Sequence, residues 1–273
     1  MARRKLSGKR ILLTGASSGI GCALATALAQ RGARLLLTAR REDKLRSLVV
    51  SLDAAGVEHL PQVHPGDITD PRTRNDLVHA AERQLGGLDG LVNCAGVGAV
   101  GAFEDAEPDR ARQVFELNFF APLELTRISL PLLKLGVDPI IVNIGSVLGH
   151  RAVPFKSEYC ASKFALHGWS DSLRAELAAS GVDVLLVSPS TTDSDFFDHL
   201  IEDRSAGGHK GARPMPTSVV ARATVRAMER GRHEVILSLG GKALVWLDRL
   251  APSLADWFLA RFAQGRGAES APP

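Results

Sequence analysis

The chain has 273 residues, a formal net charge of +3, and 45% hydrophobic against 23% charged residues, the balance of a globular protein with ample length for a core. No stretch approaches the roughly twenty apolar residues of a membrane span, and the small net charge points to small-molecule partners rather than nucleic acid. Cys22, Cys94 and Cys160 are odd in number and lack metal-site spacing, and the eight histidines form no HExxH-like pattern, so free thiols, a cytoplasmic setting and no metal are expected.

In chain order, Arg3, Arg4, Lys5, Lys9 and Arg10 read as a basic, solvated N-terminal tail. Residues 10–14 read as the first strand and 20–30 as the first helix. Between them runs Thr14-Gly15-Ala16-Ser17-Ser18-Gly19-Ile20-Gly21, a glycine-rich turn that brings backbone amides and a helix N-terminus against a pyrophosphate. Gly15, Ser17, Ser18, Gly19 and Ile20 are its candidate contacts, although the spacing is GxxxGxG rather than GxGxxG. A strand over 34–39 follows. An acidic residue at its end would bond the ribose 2′-hydroxyl of NAD, whereas this chain carries Arg40 and Arg41, which suit a 2′-phosphate and favour NADP(H) over NAD(H).

Helices are then expected over 42–55, 70–85, 108–135, 155–179 and 216–230, and strands over 59–63, 88–93, 139–144, 183–188 and 234–237. Asp70-Pro71 is a good helix start, and Gly32, Gly56, Gly86 and Gly181 stand where helices stop. This alternation implies an α/β fold in a single domain spanning 1–273, a Rossmann-type doubly wound parallel sheet of about seven strands with helices on both faces. Ligands of such sheets bind beyond the carboxyl ends of the strands.

Chemistry converges there. Tyr159 is the only tyrosine, and Lys163 follows it by four residues, so both share one helix face. A neighbouring ammonium favours the phenolate, which makes the pair a proton donor and acceptor tuned toward neutral pH. Ser146 ends the fifth strand. Asn118 lies four residues before Pro122, which has no N–H, so the Asn118 carbonyl loses its helical donor and is expected to hold water.

The glycine-rich turn, Asp67 in Gly66-Asp67-Ile68, Asn93-Cys94-Ala95-Gly96, Asn118, Ser146, Tyr159 with Lys163, and Pro189 occur together in an order and spacing that resemble the short-chain dehydrogenase/reductase family across residues 8–237. The resemblance implies hydride transfer between a nicotinamide cofactor and a carbonyl or alcohol, with Asn118, Ser146, Tyr159 and Lys163 catalytic. Tyr159 moves the proton, Lys163 holds the nicotinamide ribose, Ser146 orients the carbonyl, and Asn118 holds a relay water. Asp67 and Ile68 are then expected near the adenine, Asn93, Ala95 and Gly96 on the ribose side, and Pro189 and Thr192 at the carboxamide. Cys94, Ser190 and Ser194 depart from the usual Asn, Gly and Thr.

Residues 190–215 read as a substrate lid with Phe196, Phe197, Leu200 and Ile201 as its apolar face, followed by a polar stretch with Gly207, Gly208 and Gly211. In the tail, 240–273, Ala243, Trp246, Leu247 and Leu250, and then Leu254, Trp257, Phe258 and Phe262, repeat at helical spacing, a face for core or subunit contact. A homodimer or homotetramer follows from the resemblance. Two other readings stand beside this one. In the first, residues 243–262 lie on a membrane surface and the substrate is a lipophilic ketone, steroid or retinoid. In the second, the chain is a catalytically silent NADP(H)-binding regulatory protein.

Overall fold

The computed structural model describes residues 4–194, 196, 200–203 and 214–269. Its strands are β1 (Arg10–Thr14), β2 (Arg34–Thr38), β3 (Gln62–Val63), β4 (Gly90–Asn93), β5 (Ile140–Ile144), β6 (Asp183–Ser188), β7 (Thr192–Asp193), β8 (Met215–Pro216) and β9 (Glu234–Ile236). The helices are α1 (Gly19–Ala29), α2 (Glu42–Ala54), α3 (Pro71–Ala80), α4 (Arg110–Phe115), α5 (Ala121–Lys134), α6 (Ser157–Leu177), α7 (Thr217–Glu229), α8 (Leu239–Leu250) and α9 (Pro252–Glu269). Seven strands form one sheet in the order β3-β2-β1-β4-β5-β6-β9, and every neighbouring pair is parallel.

Strand alternation divides the core in two. Leu13, Leu37, Val142 and Leu185 face one side with Leu24 of α1, Leu45 of α2 and Val225 of α7. Leu12, Leu36, Leu91 and Ile141 face the other with Leu77 of α3, Leu125 of α5 and Leu173 of α6. Covered on both faces, these strands need apolar residues at nearly every position, which is why they read as continuous runs.

Most element boundaries match the sequence within two residues, and the exceptions have causes. The third strand is only Gln62–Val63. Phe155 has φ +64, outside the helical region, so α6 begins at Ser157. The helix over 70–85 begins at Pro71 on an Asp70 side chain that accepts from the Arg72 N–H, and passes into a π-helical turn at Ala81–Leu85. The helix expected over 108–135 is divided by a second π-helical turn, Glu116–Phe120, where the Ala121 N–H bonds back to Glu116. Pro122 offers no N–H there, so the chain takes a wider register before α5 continues.

The basic cluster is not a solvated tail. Arg4 is buried and donates to the carbonyls of Asp138 and Met228 and to Asp183 at 2.6 Å. Lys9 is buried against the Val137 carbonyl. Arg10 holds Asp89 through its Nε at 2.9 Å and Nη2 at 2.7 Å. Lys5 is exposed, and Arg3 lies outside the described residues. Cationic heads extending from the amino end of the sheet meet the carbonyls of loops that close that end, a fate that charge counting does not reveal.

Burial alone would raise the Asp89 carboxyl, but hydrogen bonds from Arg10 and the Val137 N–H hold it down to about 2. The folded value is below the ordinary 3.8, so its stabilisation is complete above roughly pH 4 and is lost as pH falls toward 2. Asp89→Ala, which strands Arg10, is expected to cost on the order of 3 kcal/mol in urea unfolding at pH 7 and to flatten the stability–pH curve between pH 4 and 2.

Candidate active site

Past the carboxyl ends of β1, β4, β5 and β6 opens a cavity of about 840 Å³. One end is the glycine-rich turn. Gly15 has φ +70, and a Cβ there would lie 2.8 Å from the backbone of Ala95; one on Gly21 would lie 2.1 Å from the Gly15 carbonyl oxygen. The turn therefore packs backbone on backbone, against the loop after β4 and under the start of α1. The Thr14 hydroxyl, unassigned by sequence reasoning, accepts from the amides of Cys94 at 3.0 Å and Ala95 at 3.1 Å and locks the two loops together.

Ser18, at the start of α1, makes no hydrogen bond to the helix's own amides. Its hydroxyl accepts from Arg41 Nη2 at 2.7 Å, and Arg41 also reaches Ser17 at 3.3 Å. Arg41 thus lies over the turn, while Arg40 is exposed at the rim. Asp67 accepts from the Thr69 N–H and hydroxyl, both at 2.9 Å, and Ile68 is buried beside it. Gly15, Ser17, Ser18, Gly19, Ile20, Arg40, Arg41, Asp67 and Ile68 all line the cavity. A helix N-terminus, missing Cβ atoms and a guanidinium at the second strand's end fit a dinucleotide's phosphates.

The other end holds the phenol. Tyr159 and Lys163 project from α6 into the cavity with Ser146, Ala95, Gly96, Pro189 and Thr192. The Ser146 hydroxyl accepts from the Leu148 N–H at 3.0 Å and lies near enough to Tyr159 to favour its phenolate. Lys163 Nζ stands 5.8 Å from the Tyr159 ring centroid and donates to the Ile144 carbonyl at 3.0 Å. Thr192 donates to Ser190 O, and Pro189 O receives the Val147 N–H, so the loop after β6 is fixed on this wall.

The charge states correct one expectation. Burial pushes the Tyr159 phenol up to about 12, against the opposing effect of the Ser146 hydroxyl. Burial likewise pulls Lys163 down to about 8, with Cys94 opposing. The pair is not tuned toward neutral pH in the protein alone, because removing water from a phenolate outweighs an ammonium that is itself poorly solvated. Near neutral pH the phenol is protonated.

Two predicted residues sit elsewhere. Asn93 ends β4 with its side chain in the core, donating to Asn143 at 2.8 Å and Thr126 at 3.1 Å, and does not line the cavity; strand alternation turns it away. Asn143 passes the chain on to Ser170 at 2.9 Å. Asn118 is buried behind the wall: its amide accepts from the Val97 N–H at 2.8 Å and donates to Val97 O at 2.9 Å and to Ser162 at 3.0 Å. Its side chain thus fastens the loop after β4 to α6, a role apart from its carbonyl.

The segment after β6 is fastened at both ends. β7 and β8 pair in parallel, and further on the Ile201 N–H bonds to Gly98 O and the Val100 N–H to Glu202 O, both at 3.0 Å. Phe196 meets the Tyr159 ring edge-on at 5.7 Å, and a Cβ on Gly98 would strike Phe196 and Leu200 at 2.8 Å. Phe197, Gly207, Gly208 and Gly211 lie outside the described residues. Behind this contact is Arg110, 1% exposed, donating to Glu158 from Nε at 3.0 Å and Nη2 at 2.7 Å and to Glu202 at 3.3 Å. Only a helical position in the sequence marked Arg110; its partners are 48 and 92 residues away.

The tail turns inward a different face from the stripe expected to meet the core or another subunit. Gly241 and Val245 of α8 and Ala255 of α9 are buried, and Leu244 and Leu259 reach the cavity. Trp246 is 58% and Leu250 78% exposed, and Leu254, Trp257 and Phe258 are exposed too. The Phe262 side chain lies outside the described residues. Arg151 bridges the two helices through Asp248 and Asp256, each at 2.5 Å. No described helix is long and apolar enough to cross a membrane.

Residues 9–205 match the family model for short chain dehydrogenases. A "dehydrogenase/reductase SDR family protein 7-like" of Anopheles gambiae is 33% identical over 272 residues, covering 96% of this chain and 85% of that protein. Among solved structures, a short chain dehydrogenase of Burkholderia cenocepacia in complex with NADP is 28% identical with a TM-score of 0.75, over 88% of this chain and all of that one. One from Burkholderia phymatum in complex with NAD has a TM-score of 0.83 at 24% identity, over 92% and 96% of the two chains.

Arg110→Ala leaves Glu158 buried without its cation and is expected to destabilise the protein by about 3–5 kcal/mol, read by chemical denaturation.

Proposed function

The chain belongs to the short-chain dehydrogenase/reductase family, and from that premise we propose that it is an NADP(H)-dependent oxidoreductase interconverting a carbonyl and an alcohol. The observation that carries the reading is the grouping of Tyr159, Ser146 and Lys163 at one end of a cavity whose other end is a helix N-terminus with Arg40 and Arg41. Bound there, the nicotinamide dinucleotide supplies or accepts the hydride. Arg40 and Arg41 select the 2′-phosphate, the turn from Gly15 to Ile20 receives the diphosphate, and Asp67, Ile68, Ala95, Gly96, Pro189 and Thr192 position the rest.

Tyr159, protonated near neutral pH, gives its proton to the substrate oxygen during reduction and takes it back during oxidation. Ser146, held by the Leu148 N–H, orients that oxygen and stabilises its growing charge. Lys163 supplies the nearby cation and, with a water on the Asn118 carbonyl, returns protons from solvent. Beyond Tyr159 the wall includes Val153, Pro154, Phe196, Leu200, Leu244 and Leu259, which supports an uncharged, lipophilic substrate. The aromatic face left exposed on α8 and α9 suits a second copy of the chain, in keeping with a cytoplasmic homo-oligomer.

Tyr159→Phe is expected to lower kcat for carbonyl reduction by roughly 10³-fold while NADPH binding, followed by fluorescence, changes by less than about threefold; unchanged reduction would end the proposed role. Arg40→Asp is expected to weaken NADPH by roughly 10–100-fold and NADH far less. Equal losses for both would refute the 2′-phosphate assignment.

A further inference from the structure

Outside the cavity wall, three ligating side chains from distant parts of the chain meet. His150 follows the short 3₁₀ turn Val147–Gly149 just after Ser146, His167 lies on α6 one turn beyond Lys163, and Glu234 opens the edge strand β9. One ligand atom of each lies within 4.8 Å of the other two. Glu234 Oε1 is the shared point, 3.4 Å from His150 Nε2 and 3.9 Å from His167 Nε2. We propose that His150, His167 and Glu234 form a site for a divalent transition-metal ion of the zinc type.

Two imidazoles and a carboxylate are a donor set that zinc and its neighbours favour. With metal–nitrogen distances of about 2.0–2.1 Å, ligand atoms around a tetrahedral ion stand roughly 3.3 Å apart. The His150–Glu234 pair is already at that spacing, the His167–Glu234 pair closes by about half an ångström, and the two rings approach by rotating about their side-chain bonds.

The surroundings favour an ion. His167 Nδ1 lies 3.3 Å from the Gly149 carbonyl oxygen, an acceptor ready for the Nδ1 proton once Nε2 holds an ion. A carbonyl behind the ring is the usual outer partner of a ligating histidine. His150 is deeply buried, with 2% of its side chain exposed, so packing fixes its ring with Nε2 toward Glu234. Ser188 Oγ, 2.9 Å from His150 Nε2, holds that nitrogen in place and yields it on binding, and Asp171, 3.3 Å from His167 Nε2, offers a further oxygen. Entry is open because the Glu234 side chain is 38% exposed on the edge strand. An ion there ties the Ser146 loop, α6 and β9 together, so it should stiffen the turn that carries the Ser146 hydroxyl.

The test uses the full, tag-free chain, stripped with a chelator and titrated with Zn²⁺ by calorimetry and with Co²⁺ by absorption. One ion per chain is expected, with cobalt d–d bands and no thiolate charge-transfer band, and an excess of Zn²⁺ near 100 times Kd should raise Tm by roughly 5 °C. His167→Ala should weaken binding by roughly 100-fold or more and the half-exposed Glu234→Gln by roughly 10-fold, while the surface variant His59→Ala leaves it unchanged. The site is refuted if the wild type shows no saturable one-to-one binding, if a thiolate band appears, or if Glu234→Gln binds as tightly as the wild type. Should His167→Ala lose its cooperative thermal transition, Glu234→Gln alone decides.

Discussion

Where β1 and β4 end side by side, the Thr14 hydroxyl takes hydrogen bonds from two successive amides, and Gly15 approaches Ala95 so closely that no side chain fits between them. This contact sets the cavity's floor. It holds the start of α1 beneath the turn and places Ala95 and Gly96 under the space that Lys163 and Tyr159 face from α6. A Cβ on Gly96 would lie 3.1 Å from Asn118 Oδ1 and 3.6 Å from Lys163 Nζ, so the fit continues from the turn to the reactive end. The glycines here follow from backbone approach rather than from flexibility.

Burial sets the electrostatics of the reactive end more than pairing does. Phenol and ammonium are both pushed toward their neutral forms, in opposite directions along the pH scale. A buried phenol that keeps its proton is a competent donor, and a cation brought alongside would ease its loss. The nearby segment after β6 is joined to the same helix through Arg110, whose partners are Glu158, next to Tyr159, and Glu202. That segment and the helix carrying Tyr159 therefore share one buried guanidinium.

Much of this was legible because it is local. The alternation of apolar runs and helical patterns, the glycine-rich turn, the Asp70-Pro71 start and the four-residue step from Tyr159 to Lys163 each depend on neighbours in sequence. What was hidden depends on distance. The buried roles of Arg4 and Lys9, the Arg110 triad, and the Asn93–Asn143–Ser170 chain join residues that only the fold brings together. The inward face of α8 is another case: small Gly241 and Val245 pack, whereas Trp246 and Leu250, the stronger sequence signal, stay outside. Side-chain size announced a face but not which way it points. The inward turn of the Asn93 side chain was hidden for a simpler reason, since the last residue of a strand has a fixed side and a motif does not report it.

Arg4 has a temporal consequence. It grips the carbonyl of a residue 134 positions later and another 224 positions later. During synthesis neither acceptor exists when Arg4 is made, and the second follows only 224 residues later. These contacts at the amino end of the sheet therefore form late, after α7 has left the ribosome.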